Sequence, residues 1–119
     1  MSDIGDPNRI LGMDTSHYTG LVDFKLAKEH GMKFVIIKFM NGLVPTLYAK
    51  ENYAAAKQAG LLVGAYQWLY ASHDISAGTQ ARTFLDYMRA YPCDLPHTVD
   101  FEWTTWNGKP SNPDASDLW

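Results

Sequence analysis

Two carboxylates with a spacing suited to acid–base chemistry, Asp100 and Glu102, occur near the end of the 119-residue chain. On a β-strand, residues two apart point to the same face, with Cα atoms roughly 6.6 Å apart. Two carboxyl groups this close in a partly dry site do not both ionise easily, so we expect one to hold a proton near neutral pH. A proton donor beside a carboxylate is the pair that cleaves a glycosidic bond.

The surroundings of this pair favour a functional interpretation over a structural one. An Asp-x-Glu motif is weak evidence by itself, because acidic residues end many strands as solvated loop starts. Here the neighbours Val99 and Phe101 are apolar, which predicts a buried strand whose acids face an interior or a cleft. Burying two carboxylates without a function would be costly in free energy.

Alternating strand and helix patterns must position these acids. Short apolar, β-branched runs predict buried strands at residues 10–13, 34–37, 61–66 and 98–103. Helices are predicted from an Asp23 cap to a stop at Gly31, over 47–59 with Gly60 closing it, and over 75–91. In the last helix, Phe84 and Leu85 belong to the predicted apolar stripe, whereas Gln80, Arg82 and Asp86 are predicted to face out. A loop at 107–114 and the opening turn of a helix at 114–119 complete the pattern.

This alternation predicts an α/β fold with a parallel sheet, either an open doubly wound sheet or part of a β/α barrel. In both architectures ligands bind where the strands end at their carboxyl side. Three carboxylates and several aromatic side chains are therefore expected at one rim. The residues at or after the strand ends are Asp14, Ser16, His17, Tyr18, Lys38, Met40, Asn41, Tyr66, Gln67, Trp68, Asp100, Glu102 and Trp103.

Four sequence runs, in order and at matching spacing, carry a resemblance to a known family. They are GMDTSHYTG at 12–20, FVIIK at 34–38, AGLLVGAY at 59–66 and LPHTVDFE at 95–102. They resemble the glycoside hydrolase family 25 lysozymes, N-acetylmuramidases of the Chalaropsis type that are common among phage endolysins. The resemblance implies that residues 1–119 form the first four βα units of an irregular, TIM-like β/α barrel, with no second domain and no cofactor.

The activity implied by the resemblance is hydrolysis, with retention, of the β-1,4 bond between N-acetylmuramic acid and N-acetylglucosamine in bacterial peptidoglycan. By position, Glu102 resembles the proton donor, and Asp14 the third acid of the rim. Asp100 resembles the partner that stabilises the oxocarbenium ion or the substrate's acetamido group. The expected substrate-binding residues are Tyr18, Lys38, Asn41, Tyr66, Gln67 and Trp68, of which Tyr66 and Trp68 resemble sugar-stacking positions.

Two departures from the family pattern keep a second hypothesis open. Asn41 stands where the family usually has a glutamate, so a carboxylate is replaced by a neutral amide. Gln67 stands where the family usually has histidine and keeps a hydrogen-bonding side chain, so we expect tuning there. The alternative hypothesis is a non-catalytic glycan-binding or structural barrel fragment, which Asn41 favours and the intact acids oppose.

Composition argues against several other classes of protein. A net charge of −3 and a pI near 5.7 argue against binding nucleic acid or anionic lipid through bulk positive charge. No apolar run approaches a membrane span, and the N-terminus lacks the pattern of a signal peptide. We therefore expect synthesis in the cytoplasm and action on the cell wall after release, as for a phage endolysin. Cys93 is the single cysteine, and His17, His30, His73 and His97 lack the spacing of a metal site.

The number of strands leads to a last expectation. A closed β/α barrel has eight strands and usually about 200 or more residues, whereas four strands are predicted here. A half barrel exposes two strand edges and an apolar inner face. We therefore expect a truncated catalytic barrel that self-associates or pairs with a missing C-terminal half.

Overall fold

The computed structural model of the chain describes residues 7–70, 75–102, 104–106 and 109–111, the last two segments by their backbone alone. Trp103 of the predicted fourth strand, His73 and the predicted helical turn at 114–119 lie outside these residues. No helix in the described ranges is long and apolar enough to cross a membrane. The described elements in chain order are β1 (Leu11–Thr15), α1 (Phe24–Glu29), β2 (Met32–Asn41), β3 (Val44–Pro45), α2 (Ala49–Ala59), β4 (Leu62–Trp68), α3 (Ala77–Met88), β5 (Thr98–Asp100), β6 (Thr104–Trp106) and β7 (Lys109–Ser111).

The main sheet is parallel, with its strands in the order β1-β2-β4-β5. Spatial order therefore follows chain order, as in the wall of a β/α barrel, whereas a doubly wound sheet reverses its order at a switch point. The short β3 pairs antiparallel with the end of β2, and β6 pairs with β7 in a separate hairpin. The prediction of an α/β fold is confirmed. Of the two predicted architectures, an open doubly wound sheet and part of a β/α barrel, the barrel has this strand order.

Helices cover one face of the sheet and form the core there. Val35, Ile37, Val63 and Ala65 alternate along β2 and β4 and are at most 1% exposed. They belong to one buried cluster with apolar side chains of the three helices, Phe24, Ala49, Ala56, Phe84 and Met88. β2 and β4 thus each bury one set of alternate residues against the helices and present the other set to the opposite face.

A β-bulge interrupts this alternation near the end of β2. The register with β4 shifts between Lys38 and Met40, so Lys38 pairs with Tyr66 and Met40 with Gln67. Phe39 and Met40, although adjacent, are both buried in the helix-side core. A bulge adds one residue to a strand, so the side chains after it face the opposite side of the sheet from the one that strict alternation would give.

The predicted helix ends are largely confirmed. The Asp23 carboxylate accepts a hydrogen bond from the Leu26 N–H at 3.0 Å and caps α1. Gly60 ends α2 in the left-handed conformation, with φ of 83°. Ser76 caps α3 through the Thr79 N–H, so this helix begins later than the prediction from residue 75 and ends at Met88.

Four burial predictions are wrong. Gln80 was predicted to face out but is fully buried, because its amide hydrogen-bonds the backbone of Tyr70. Leu85 is 51% exposed, since the neighbouring Phe84 takes the position that faces the core. Val99 and Phe101 are 50% and 41% exposed. Among the described residues β5 is an edge strand, because it pairs with β4 on one side and with no strand on the other.

Strand bounds also differ from the prediction, because pairing with neighbours rather than local composition sets them. β2 continues to Asn41 and β4 to Trp68, so residues predicted to follow these strands lie within them. β5 is shorter than predicted and ends at Asp100. The predicted loop at 107–114 contains β7, which pairs with β6, and neither β3 nor β6 was predicted from the sequence.

Candidate active site

Residues of four parallel strands converge on the face of the sheet opposite the helices. The pairing places Asp14 beside Ile36, Lys38 beside Tyr66, and Trp68 beside Asp100. Here the sheet borders an open cleft of about 500 Å³. Its lining residues are Asp14, Ile36, Tyr66, Thr98, Val99, Asp100 and Glu102. The three acids singled out from the sequence thus line one cleft together with Tyr66.

The carboxyl groups of Asp100 and Glu102 interact directly. A side-chain hydrogen bond with Asp100 raises the pKa of Glu102, and partial desolvation and the charge of Asp100 act in the same direction. The positive charge of Lys38 opposes the increase. Glu102 therefore keeps its proton to a higher pH than an ordinary glutamate, which suits a group that must donate a proton.

Tyr66 lies in the electrostatic field of all three acids. Desolvation, followed by the charges of Asp14, Asp100 and Glu102, raises the pKa of Tyr66 to about 12. Its hydroxyl group therefore remains protonated throughout the neutral range and can donate a hydrogen bond into the cleft.

Lys38 supplies a cation beside the acidic pair. Its side chain is 7% exposed, and Nζ lies 5.2 Å from the ring centroid of Trp68, within cation–π range. Burial lowers the pKa of Lys38, whereas the charges of Asp100 and Glu102 raise it. The cleft thus combines a raised-pKa carboxyl group, two further acids and a phenol, and the buried Lys38 lies beside this lining.

The remaining predicted substrate-binding residues lie in three different environments. Asn41 is half-buried at the end of β2, in register with Trp68. Tyr18 lies on the loop after β1 and is 87% exposed, with its ring centroid 3.9 Å from that of His17, and it does not line the cleft. Gln67 is a correction to the sequence prediction. It is fully buried and donates hydrogen bonds to the carbonyls of Gly42 and Gln80, because its place on β4 alternates with those of Tyr66 and Trp68.

Sequence reasoning missed some residues that shape the site. Ile36 and Thr98 line the cleft, and both could have been found by counting back in steps of two from Lys38 and Asp100. The absence of a side chain at Gly12 leaves room for the ring of Phe34, because a Cβ at Gly12 would lie 2.1 Å from Phe34 Cζ. Among the described residues, no cluster of His, Cys, Asp and Glu has an arrangement that could hold a metal ion.

Comparison with known proteins identifies the family of this chain. A family model for glycosyl hydrolases family 25 matches residues 13–118. An autolytic lysozyme of Clostridium acetobutylicum is 35% identical over 94 residues, which cover 78% of this chain and 28% of that protein. Lysozyme M1 of Streptomyces globisporus is 33% identical over 105 residues, which cover 82% of this chain and 34% of that protein.

Solved structures show the same relationship. A family 25 glycosyl hydrolase from Bacillus anthracis aligns with a TM-score of 0.73 and 31% identity, covering 84% of this chain and 46% of that one. A muramidase from Acremonium alcalophilum aligns with a TM-score of 0.72 and 30% identity, covering 85% of this chain and 50% of that one. The chain thus spans about a third of these curated relatives and about half of the solved ones. The chain belongs to family 25 of the glycosyl hydrolases.

Proposed function

We propose that this chain supplies the acidic cleft of an N-acetylmuramidase, which hydrolyses the β-1,4 bond between N-acetylmuramic acid and N-acetylglucosamine in bacterial peptidoglycan with retention. The observation that carries the proposal is the cleft lined by Asp14, Tyr66, Asp100 and Glu102, in which the interaction with Asp100 raises the pKa of Glu102. Relatives named lysozyme or muramidase support the substrate class.

In the proposed reaction, Glu102 donates its proton to the glycosidic oxygen as the bond from that oxygen to the anomeric carbon breaks. Asp100 stabilises the positive charge that develops at the anomeric carbon, either directly or through the substrate's acetamido group. Glu102, now ionised, then takes a proton from the water that attacks the same carbon. Attack from the face that the leaving group occupied gives retention.

Other residues on this side of the sheet bind and orient the sugar in this proposal. Tyr66, protonated at all neutral pH values, donates a hydrogen bond to a sugar oxygen. Trp68 offers an aromatic face to a pyranose ring, and the cation–π contact with Lys38 fixes the indole in place. Asp14 contributes a third negative charge near the oxocarbenium ion.

Asn41 supports a second candidate function, a glycan-binding module without cleavage. At this position a neutral amide takes the place of the carboxylate expected from the family pattern, while the aromatic and cationic groups needed for binding remain. Both candidates predict binding to cell walls, and only the first predicts release of new reducing ends.

The deciding experiment measures both properties with the same protein. Wild type, Glu102→Gln and the control Glu51→Gln, an exposed glutamate on α2, are each completed by a C-terminal half of the barrel and incubated with insoluble cell walls. We expect all three to pellet with the walls and Glu102→Gln to lose cleavage by about 10²–10⁴-fold, because an amide cannot donate the proton. Near wild-type cleavage by Glu102→Gln contradicts the assignment, whereas binding without cleavage by wild type supports the module.

A further inference from the structure

Two buried glutamines face each other between the sheet and α3. Gln67 of β4 and Gln80 of α3 are both 0% exposed. The Gln67 Nε2 group donates to the Gly42 carbonyl at 2.9 Å and to the Gln80 carbonyl at 2.8 Å. The Gln80 side chain binds the backbone of Tyr70 at two points, accepting from its N–H at 2.9 Å and donating to its carbonyl at 2.8 Å.

Backbone hydrogen bonds extend this network to the cleft. The Gly42 N–H donates to the Trp68 carbonyl at 2.8 Å, and the Leu69 N–H donates to the Asp100 carbonyl at 3.0 Å. The network therefore joins the carboxyl ends of β2, β4 and β5. Gly42 has φ of 62°, and a Cβ there would lie 2.4 Å from Tyr70 Cδ2, so the Tyr70 ring also packs closely on this turn.

The hydrogen bonds of this pair fit a role in positioning. An apolar side chain of the same length would fill the space between β4 and α3 but would leave the Gly42 carbonyl and the N–H and carbonyl of Tyr70 without these partners. The pair is not arranged for stability alone, because Gln67 Oε1 is buried and no donor reaches it among the described residues. An unsatisfied buried acceptor opposes folding, whereas a connected network of amides fixes the relative positions of the segments that it joins.

We propose that Gln67 and Gln80 are positioning residues, which hold the ends of β4 and β5 so that Asp100 stays beside Glu102 in the lining of the cleft. This inference rests on the proposed function for its catalytic meaning. Neither glutamine lines the cleft. Their effect reaches the acid pair through the backbone of Tyr70, Leu69 and Asp100.

The test is an NMR titration of the Glu102 carboxyl group in wild type, Gln67→Met, Gln80→Met and the control Gln58→Met. Methionine keeps the length of glutamine and removes its amide, and Gln58 is an exposed glutamine on α2 outside the network. The charged and titratable groups that influence Glu102 or share its cleft are Asp14, Lys38, Tyr66 and Asp100, and none of them is changed.

We expect the titration midpoint of Glu102 to fall towards that of an ordinary glutamate in both network variants and to stay unchanged in Gln58→Met. With cell walls as substrate, kcat should fall by about 10-fold or more in the network variants, since small displacements of catalytic groups have effects of this size. Wall binding should change much less.

An unchanged Glu102 midpoint in the folded network variants overturns the inference, because destabilisation alone does not alter the pKa of a group in the folded state. Two variants on different elements are used so that one still decides the question if the other does not fold. If neither folds, the pair is a folding element and the inference is wrong. Failure of a barrel completed by a C-terminal half to cleave walls would refute the proposed function, while the titration would still test the positioning.

Discussion

The two faces of β4 show how one strand serves two purposes. Val63, Ala65 and Gln67 point towards the helices and are fully buried, whereas Tyr66 and Trp68 point to the cleft side of the sheet and are half-buried. Neighbouring residues therefore experience different environments. The helix side packs side chains closely, and the cleft side gathers groups whose ionisation the protein has shifted.

The difference between the two faces also has an energetic meaning. Apolar burial on the helix side stabilises the fold by roughly 25 cal/mol per Å². On the cleft side, the desolvation of the Lys38 ammonium group opposes folding, and the charges of Asp100 and Glu102 offset part of that cost. Substitutions on the cleft side should therefore change reactivity with little effect on stability, and substitutions of the apolar side chains on the helix side should do the opposite. The buried amides of Gln67 and Gln80 differ from these apolar side chains, because their hydrogen bonds connect the helix side to the strand ends that carry Asp100.

Replacing Asp100 by Asn should have the largest effect and should alter reactivity alone. Asp100 is the main cause of the raised pKa of Glu102, so its loss should lower that pKa and move the alkaline limb of the cleavage–pH profile to lower pH. We expect wall cleavage to fall by about 10²-fold or more. A full pH–rate profile measures both effects, and an alkaline limb that does not move would show that the two carboxyl groups titrate independently.

Replacing Phe39 by Ala should have the largest effect on stability. Phe39 is fully buried in the helix-side core, and its ring packs against those of Tyr53 and Tyr91 at centroid distances of 6.0 and 5.2 Å. We expect the free energy of unfolding to fall by about 3–5 kcal/mol, as measured by urea denaturation. The control Leu85→Ala, at a site 51% exposed, should cost much less. Equal losses for both variants would contradict the burial difference.

Replacing Asp94 by Asn should have the smallest effect. Asp94 binds Lys57 Nζ at 2.8 Å and the Val63 N–H at 2.9 Å, and the hydrogen bond from Lys57, followed by that from Val63, lowers the pKa of Asp94. A carboxyl group with a lowered pKa in the folded state contributes stability above the ordinary pKa of aspartate. That contribution is lost as the pH falls through the lowered value.

The Asp94→Asn variant should therefore have a slightly lower melting temperature than wild type at pH 7, and the difference should shrink in acid. Thermal unfolding of both proteins at pH 7 and at an acidic pH, followed by circular dichroism, measures this difference in melting temperature. The control Asp86→Asn breaks a more exposed ion pair, with Arg89 at 3.4 Å, and should change the melting temperature less. A difference from wild type that grows towards low pH would mean that Asp94 does not contribute as described.

Sequence patterns were sufficient for much of the fold. The apolar run at 34–37 predicted the centre of β2, and Asp23 and Gly60 predicted the ends of two helices. These features depend on local physics, namely β-branched side chains, capping hydrogen bonds and left-handed glycine. The gathering of Asp14, Asp100 and Glu102 at one edge also followed from the sequence, since parallel strands end on the same side of a sheet.

Only the tertiary structure decided which face each polar residue occupies. The bulge after Lys38 places both Phe39 and Met40 in the core, and no local pattern specifies it. Gln67 and Gln80 are buried because each finds hydrogen-bond partners on another element. Periodicity reports the apolar face of a segment, whereas the burial of an amide depends on donors and acceptors that only the folded chain brings within reach.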